Sequence, residues 1–242
     1  MNKSENIFSR NDLLFNDYEK ELLKTVKIIL FGVGGVGSWC AEALIRLGIQ
    51  NLTIVDDDVI CITNVNRQAE ATSLNIGKIK VDEMKLRLKS INPDANIKTI
   101  NLRYSPENRD LFGLENYDIV IDAIDSLDNK LDLIQSTLSL KLKLFSSMGA
   151  ALKFDNTMIR TSSVWKTKNC PLAKLVRKRL RQNGVYSNFL CVWTEEIPEK
   201  KREKREKQPN GALVHVTGTF GFALAGLVIC EIRKKAENIS RH

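Results

Sequence analysis

The chain is poor in the features that would make it a secreted, zinc-clustered or membrane protein. Its five cysteines, Cys40, Cys61, Cys170, Cys191 and Cys230, are scattered without a C-x-x-C pair. That spacing supports neither a disulfide framework nor a four-thiolate zinc site, so no zinc and a reducing compartment are expected. Long hydrophobic runs are also lacking. The longest, Phe220 to Cys230, falls well short of the roughly 20 residues that a bilayer span needs, and the opening MNKSENIFSRND has no apolar signal core. A cytoplasmic protein without stable membrane insertion is the expectation. Acidic residues are in deficit: 29 Asp and Glu against 37 Lys and Arg give a net charge of +8. The excess sits mainly in the second half, in KLVRKRLRQ at 174–182 and EKKREKREKQ at 199–208. A basic face attracts polyanions through phosphate contact and counterion release, which makes RNA the leading partner. In the second run glutamates interleave with lysines and a solvated face is the stronger reading, whereas the first run has no such alternation.

What the chain does contain is a run of strand and helix signals. At 242 residues and 43% hydrophobic it suits one α/β domain with a smaller appended lobe. KIILFG is a continuous apolar run typical of a strand buried on both faces. Val36, Trp39, Cys40, Ala43, Leu44 and Leu47 then recur at helical spacing, with Gly48 as a left-handed stop. NLTIVD is a second strand. A helix is predicted over Ser73 to Ile91, burying Ile76, Val81, Met84, Leu88 and Ile91 before Pro93 prevents its continuation. NIKTIN, DIVIDAID at 118–125 and KLFSSMGA give three further strands, with a helix from Lys130 to Leu140 before the last. Strands alternating with helices across short loops imply a doubly wound, mainly parallel, Rossmann-like α/β sheet with its ligand at the carboxyl ends of the strands. Past Ala150 the pattern weakens: two strand-like segments flank a basic helix opening at Pro171, Glu195 to Gly211 reads as a mobile loop, and a buried helix begins near Thr219. The division expected is 1–150 for nucleotide binding and 151–242 for a C-terminal substrate or tRNA-binding extension packed on the same fold.

The chemistry is concentrated between Lys27 and Asp125. Gly32, Gly34, Gly35 and Gly37 form G-x-G-G-x-G between strand and helix, a turn whose backbone can approach phosphate and whose following helix offers unpaired N–H groups. Several nucleotide folds share that motif. Asp56 ends the second strand, where an acid reaches ribose hydroxyls, and Asp58 is grouped with it in the nucleotide site. Asn64, Arg67 and Lys80 add an amide and two positive charges, an arrangement that stabilises charge developing on a phosphate and that hydride transfer does not require. Asp125, at the carboxyl end of the fourth strand, is placed to hold Mg²⁺. Asp122 is expected to face the other way and be structural. Cys40 reads as core, and neither Cys170 nor Cys191 is a persuasive nucleophile. His215 reads as a packed or hydrogen-bonded side chain, and Met148 as core lining.

In order, GVGGVGS, DDDVICITNVNRQ, GKIK and IDAIDS resemble the ubiquitin-activating-enzyme-like adenylating superfamily. Within it, GVGSWCAEALIRLGI, NVNRQ, NIGKIKVDEMKLRLKSINP, DAIDS, SSMGA and KTKNCPLAKLVRKRLRQNGV are similar to the tRNA threonylcarbamoyladenosine dehydratase group, over about 8–232. The resemblance implies ATP-dependent activation of the threonine carboxylate of threonylcarbamoyladenosine at position 37 of tRNA, with loss of AMP on ring closure. It implies that Gly34, Gly35 and Gly37 cradle phosphate, Asp56 binds ribose, Asn64, Arg67 and Lys80 contact phosphates, and Asp125 binds Mg²⁺. Arg10, in FSRNDLL, matches an arginine that related enzymes supply from the other subunit of a homodimer. The tRNA is expected on Lys174, Arg177, Lys178 and Arg181. A monovalent cation and a sulfur-transfer protein are further expectations that no residue pattern carries. The chain departs from the group at MGAALKFDNT, where Ala151, Leu152 and Asn156 replace Gly, Asn and Pro. The alternative readings are a sulfur-carrier adenylyltransferase, whose paired C-x-x-C motifs are missing here, and a nucleotide-binding scaffold without turnover.

Overall fold

The computed structural model describes residues 5–198 and 210–239. Seven strands form one sheet in the order β3-β2-β1-β4-β5-β7-β6. They are β1 (Lys27–Phe31), β2 (Asn51–Val55), β3 (Asn96–Ile100), β4 (Ile119–Asp122), β5 (Lys143–Ser147), β6 (Ile159–Ser163) and β7 (Leu190–Thr194). All neighbours run parallel except β6 and β7. The apolar runs become central strands because both sheet faces are covered: Ile28 to Phe31 have no exposed surface, which a parallel sheet between helices demands.

Two apolar layers result. On one face Ile28, Leu30, Leu44, Val81, Phe220 and Leu224 pack with α1 (Asp17–Thr25), α2 (Gly37–Arg46), α3 (Lys80–Ile91) and α6 (Val214–Ile239). On the other, Ile29, Phe31, Val120, Ile134, Val176 and Met148 pack with α4 (Leu127–Ser139) and α5 (Pro171–Gln182). The α2 helix ends as its sequence signals: the N–H of Ile49 reaches Leu44 O at 3.1 Å and that of Gly48 reaches Ile45 O at 3.2 Å, the paired bonds of a left-handed helix stop.

Two helix starts differ from the sequence expectation by five residues or more, and α4 starts three residues early, at Leu127 rather than Lys130. The third helix begins at Lys80, not Ser73, and Ile76 is exposed rather than core. Gly77, at φ +88°, breaks helical geometry, and its flanks bond outward to the segment after β2. Gly77 N donates to Ile60 O and Ile60 N to Lys78 O, both at 2.8 Å. The last helix begins at Val214, five residues before Thr219. It is long and apolar enough to cross a membrane, but its apolar side is spent on α2 and the sheet, which is how an interior helix is used. Of the segment expected to be a mobile loop, 199–209 lies outside the described residues, with all of the second basic run but none of the first.

The chain beyond 150 adds β7 and β6 to the sheet edge next to β5 and lays α6 beside α2. Leu152 sits at φ +59°, a conformation that costs a branched side chain energy. Its N–H is tied to Gly211 O at 2.9 Å.

Candidate nucleotide site

The strand order reverses between β1 and β4, and a doubly wound sheet places its ligand crevice at the carboxyl ends of the strands flanking such a point. Gly32 leaves β1 at φ +90°, and a Cβ there would lie 2.7 Å from Ala123 O, in the turn that leaves β4. At Gly37 a Cβ would fall 1.8 Å from Gly32 O. The motif is therefore glycine at these two positions for steric reasons, and α2 starts directly at the turn with its N–H groups facing the crevice.

Asp56 leaves β2 and ties the glycine turn to the next loop. One carboxylate oxygen accepts from Val33 N at 2.7 Å and the other from Asp58 N at 3.0 Å. Lys80, the first residue of α3, is buried and carries its Nζ to Asp58 at 2.8 Å and to Asp56 at 3.8 Å. It reaches this place because Lys80 N bonds to Asp58 O at 3.1 Å, a link that requires the late helix start. Asp56, Asp57 and Asp58 gather their carboxylates within 4.8 Å. Lys80 answers part of that charge and Arg103, 3.1 Å from Asp57, another part.

Arg67 lies across the turn. Its Cγ and Cδ are 3.3 Å from where a Cβ on Gly35 would stand, and its Nη1 donates to Thr63 O at 2.7 Å. Trp39 Nε1 donates to Arg67 O at 2.9 Å, which fixes that backbone against α2. Asn64 is buried and accepts from Cys61 N at 2.9 Å through its Oδ1, so in this structure its carbonyl shapes the turn that presents Arg67. Asp125 is exposed, three residues past the end of β4.

Arg10 is not part of this cluster. It is exposed, and its neighbour Asn11 donates to Arg46 O at 2.7 Å. That contact is at the C-terminal end of α2, about 15 Å along the helix from the glycine turn.

Asp122 is the structural acid that its position implied. Its carboxylate receives Lys130 Nζ and Ser146 Oγ, each at 2.6 Å, and Ile124 N at 3.1 Å, with Asp122 and Lys130 fully buried. This pair holds the turn from which Asp125 projects. His215 is also hydrogen-bonded, to Phe154 O at 2.7 Å. Cys40 and Cys191 are buried, and burial pushes the Cys191 thiol up to about 12, so neither is an available thiolate at neutral pH.

Two polar residues beside the glycine turn were not singled out in the sequence, although Gln68 closes the NVNRQ motif. Gln68 sits under Gly34 and its buried Oε1 has no hydrogen-bond partner. Glu70 is 3% exposed and neither of its carboxyl oxygens has a partner. Burial pushes its carboxyl up to about 8. The one sequence cue is that Glu70 lies between Ala69 and Ala71, small residues suited to a buried turn.

Along α5, Lys174, Lys178 and Arg181 are exposed. Arg181 lies 5.1 Å over the Trp165 ring. Arg177 differs: it is half-buried and donates to Thr167 Oγ1, so part of its charge is turned inward.

The model of the ThiF family matches residues 8–242. The tRNA threonylcarbamoyladenosine dehydratase of Bacillus subtilis is 35% identical, over 95% of this chain and 96% of that protein. Escherichia coli TcdA, a tRNA N6-threonylcarbamoyladenosine dehydratase crystallised with ATP, is similar at a TM-score of 0.89 and 34% identity, over 96% of this chain and 95% of that one. Its complex with AMP gives 0.88 and 33%, over 95% and 94%.

Proposed function

This chain belongs to the ThiF family, and from that premise we propose that it is an ATP-dependent tRNA threonylcarbamoyladenosine dehydratase. The observation that carries the proposal is the convergence of Asp56 and Lys80 on the glycine turn. An acid placed for ribose and a cation placed for phosphate share one crevice.

A carboxylate is a poor electrophile until one of its oxygens becomes part of a good leaving group. In the proposed reaction a carboxylate oxygen of the modified nucleoside attacks the α-phosphorus of ATP. The α–β bridging bond breaks and pyrophosphate leaves. A nucleophile of the nucleoside then closes on the activated carbonyl carbon, and the carboxylate oxygen departs with AMP. The nucleoside loses one water in total, and no protein cysteine is required. The protein's part is positioning and charge neutralisation. Backbone N–H groups at Gly34, Gly35 and Gly37 bind phosphate, Asp56 holds ribose, and Lys80 and Arg67 face the charge that grows on the breaking phosphate bond. Gly32 and Asp58 hold the frame of the same site, and Asn64 orders the turn beneath Arg67 while its amide reaches phosphate.

Asp125, an exposed carboxylate beside the phosphate turn, suits a hard cation that takes its other ligands from phosphate and water. It would hold Mg²⁺, which would offset triphosphate charge. Arg10 stands too far from its own crevice to serve it, and we assign it to the crevice of a second copy in a homodimer. The exposed side chains of α5, Lys174, Lys178 and Arg181, with Arg177 at their inner edge, form the tRNA face, and the compartment is the cytoplasm.

The test is to incubate the protein with ATP, Mg²⁺ and tRNA bearing threonylcarbamoyladenosine, then weigh the digested nucleoside by mass spectrometry. Loss of one water, dependent on ATP and accompanied by AMP, is the expected result. An unchanged nucleoside with ATP bound would leave the protein a scaffold.

A further inference from the structure

Between Asp155 and Glu195 the chain has no acidic residue, while it has eight lysines and arginines. Set in that tract are two aromatic side chains that the proposed chemistry leaves unused, Trp165 and Tyr186. In a duplex, neighbouring bases cover one another's faces. An unpaired base instead stacks on an aromatic ring or a guanidinium plane, and basic surroundings draw in its phosphate.

Trp165 is half-buried and fixed. It follows β6, and its Nε1 donates to Ser187 O at 3.4 Å while Val164 N donates to Phe189 O at 3.1 Å. Ser163 Oγ, donating to Asn188 Oδ1, adds a third link between the same two segments. Arg181, near the end of α5, is exposed and lies 5.1 Å over the Trp165 ring. Among the described residues that ring is its one partner. One side of the guanidinium therefore faces indole, and its N–H groups and outer side stay open to solvent. Where α4 meets this end of α5 it offers an amide and no acid: Asn183 Nδ2 donates to Gln135 Oε1 at 3.0 Å. Tyr186 stands in the loop that holds Trp165, one residue before Ser187, with 70% of its surface exposed.

These groups lie at one end of a track. The start of α5 is at the crevice end of the sheet, where Cys170 Sγ is 3.7 Å from where a Cβ on Gly149, just past β5, would stand. Its other end leads to the amino end of β7, which runs parallel to β5. The 12 residues of the helix cover roughly 18 Å between the two ends. Along it the exposed Lys174, Lys178 and Arg181 follow at steps of four and three, which puts them on one side.

Resting on the tRNA reading, we propose that Trp165, Arg181 and Tyr186 form a stacking platform for an unpaired base of the tRNA, reached from the crevice along α5. Lys174 and Lys178 take backbone phosphates on the way, and the platform takes the face of a base of any identity.

Affinity of the full-length protein for tRNA and for a fully paired RNA duplex, each measured over a range of salt, tests this. Arg181→Lys keeps the charge and loses the plane. Its tRNA affinity should fall about tenfold with an unchanged salt slope, and its duplex affinity should match the wild type. Tyr186→Ala should weaken tRNA binding about tenfold, and Tyr186→Phe, which keeps the ring, should restore it. Wild-type affinity in Arg181→Lys or in Tyr186→Ala would overturn the proposal. So would an equal loss on the duplex, which offers no open base face, or a phenylalanine variant as weak as the alanine one. If the protein dehydrates the nucleoside while both weakening variants bind tRNA normally, the platform fails alone. If the platform behaves as expected and the nucleoside stays unchanged, the dehydratase reading fails instead.

Discussion

Leu152 holds a backbone angle that its side chain disfavours, at φ +59°, in a tract where the dehydratase group reads asparagine. Asparagine tolerates that region because its short polar side chain can bond locally. Leu152→Asn should therefore stabilise the fold by about 0.5–1 kcal/mol, seen as a higher denaturant midpoint. A lower midpoint would mean that the half-buried leucine contributes more by packing than it costs in strain. At the same scale, Arg67→Ala or Lys80→Ala should each lower turnover by about 10²-fold, because each removes a positive charge that the proposed reaction sets at the breaking phosphate bond. Near-normal rates in both variants would contradict their assignment. The candidacy of Lys80 was legible in the sequence, as a cation in the GKIK motif downstream of the glycine turn, while its placement at a helix start was not. Glu70 was not legible, because an acid in a polar loop reads as exposed until the fold buries it.

Among the elements, α5 shows how much a charge run leaves undecided. Its basic stretch reads as one face, yet Ala173, Val176 and Leu180 are buried, and Arg177 lies on the edge of that stripe, four residues from Ala173. Helical spacing alone thus sets Arg177 apart from Lys174, Lys178 and Arg181. Neutralising those three exposed residues should weaken tRNA binding and lower the slope of log affinity against log salt by about 2–3. An unchanged slope would make α5 a solvated face. The third helix carries the opposite lesson. Its apolar periodicity is continuous through Ile76, so the pattern predicts too long a helix. Pairing of residues 77–80 with the segment after β2 overrides local spacing and delivers Lys80 to the crevice. The buried ion pair of Asp122 and Lys130 likewise could be read only in half: the acid was legible as structural, while its partner eight residues on required the fold.

For the whole molecule, alternating strands and helices up to 150 made the parallel core and its crevice legible. The sheet edge was not, because its two strands are short, weakly patterned segments that enter in the order β5-β7-β6, with β6 running against the others. The position of Arg10 at the far end of α2 makes its proposed role a property of the dimer. Mixing Arg10→Ala subunits with Lys80→Ala subunits should restore part of the activity, since one of the two crevices in a mixed dimer regains both residues. No recovery would place Arg10 outside the reaction.

The central claim is that the substrate carboxylate takes the adenylyl group of ATP, and its oxygens can report this directly. With the threonyl carboxylate of the tRNA nucleoside labelled by heavy oxygen and a single turnover allowed, mass spectrometry of the released AMP should find one labelled oxygen on its phosphate. Unlabelled AMP, with the heavy oxygen in pyrophosphate, phosphate or water, would contradict adenylation.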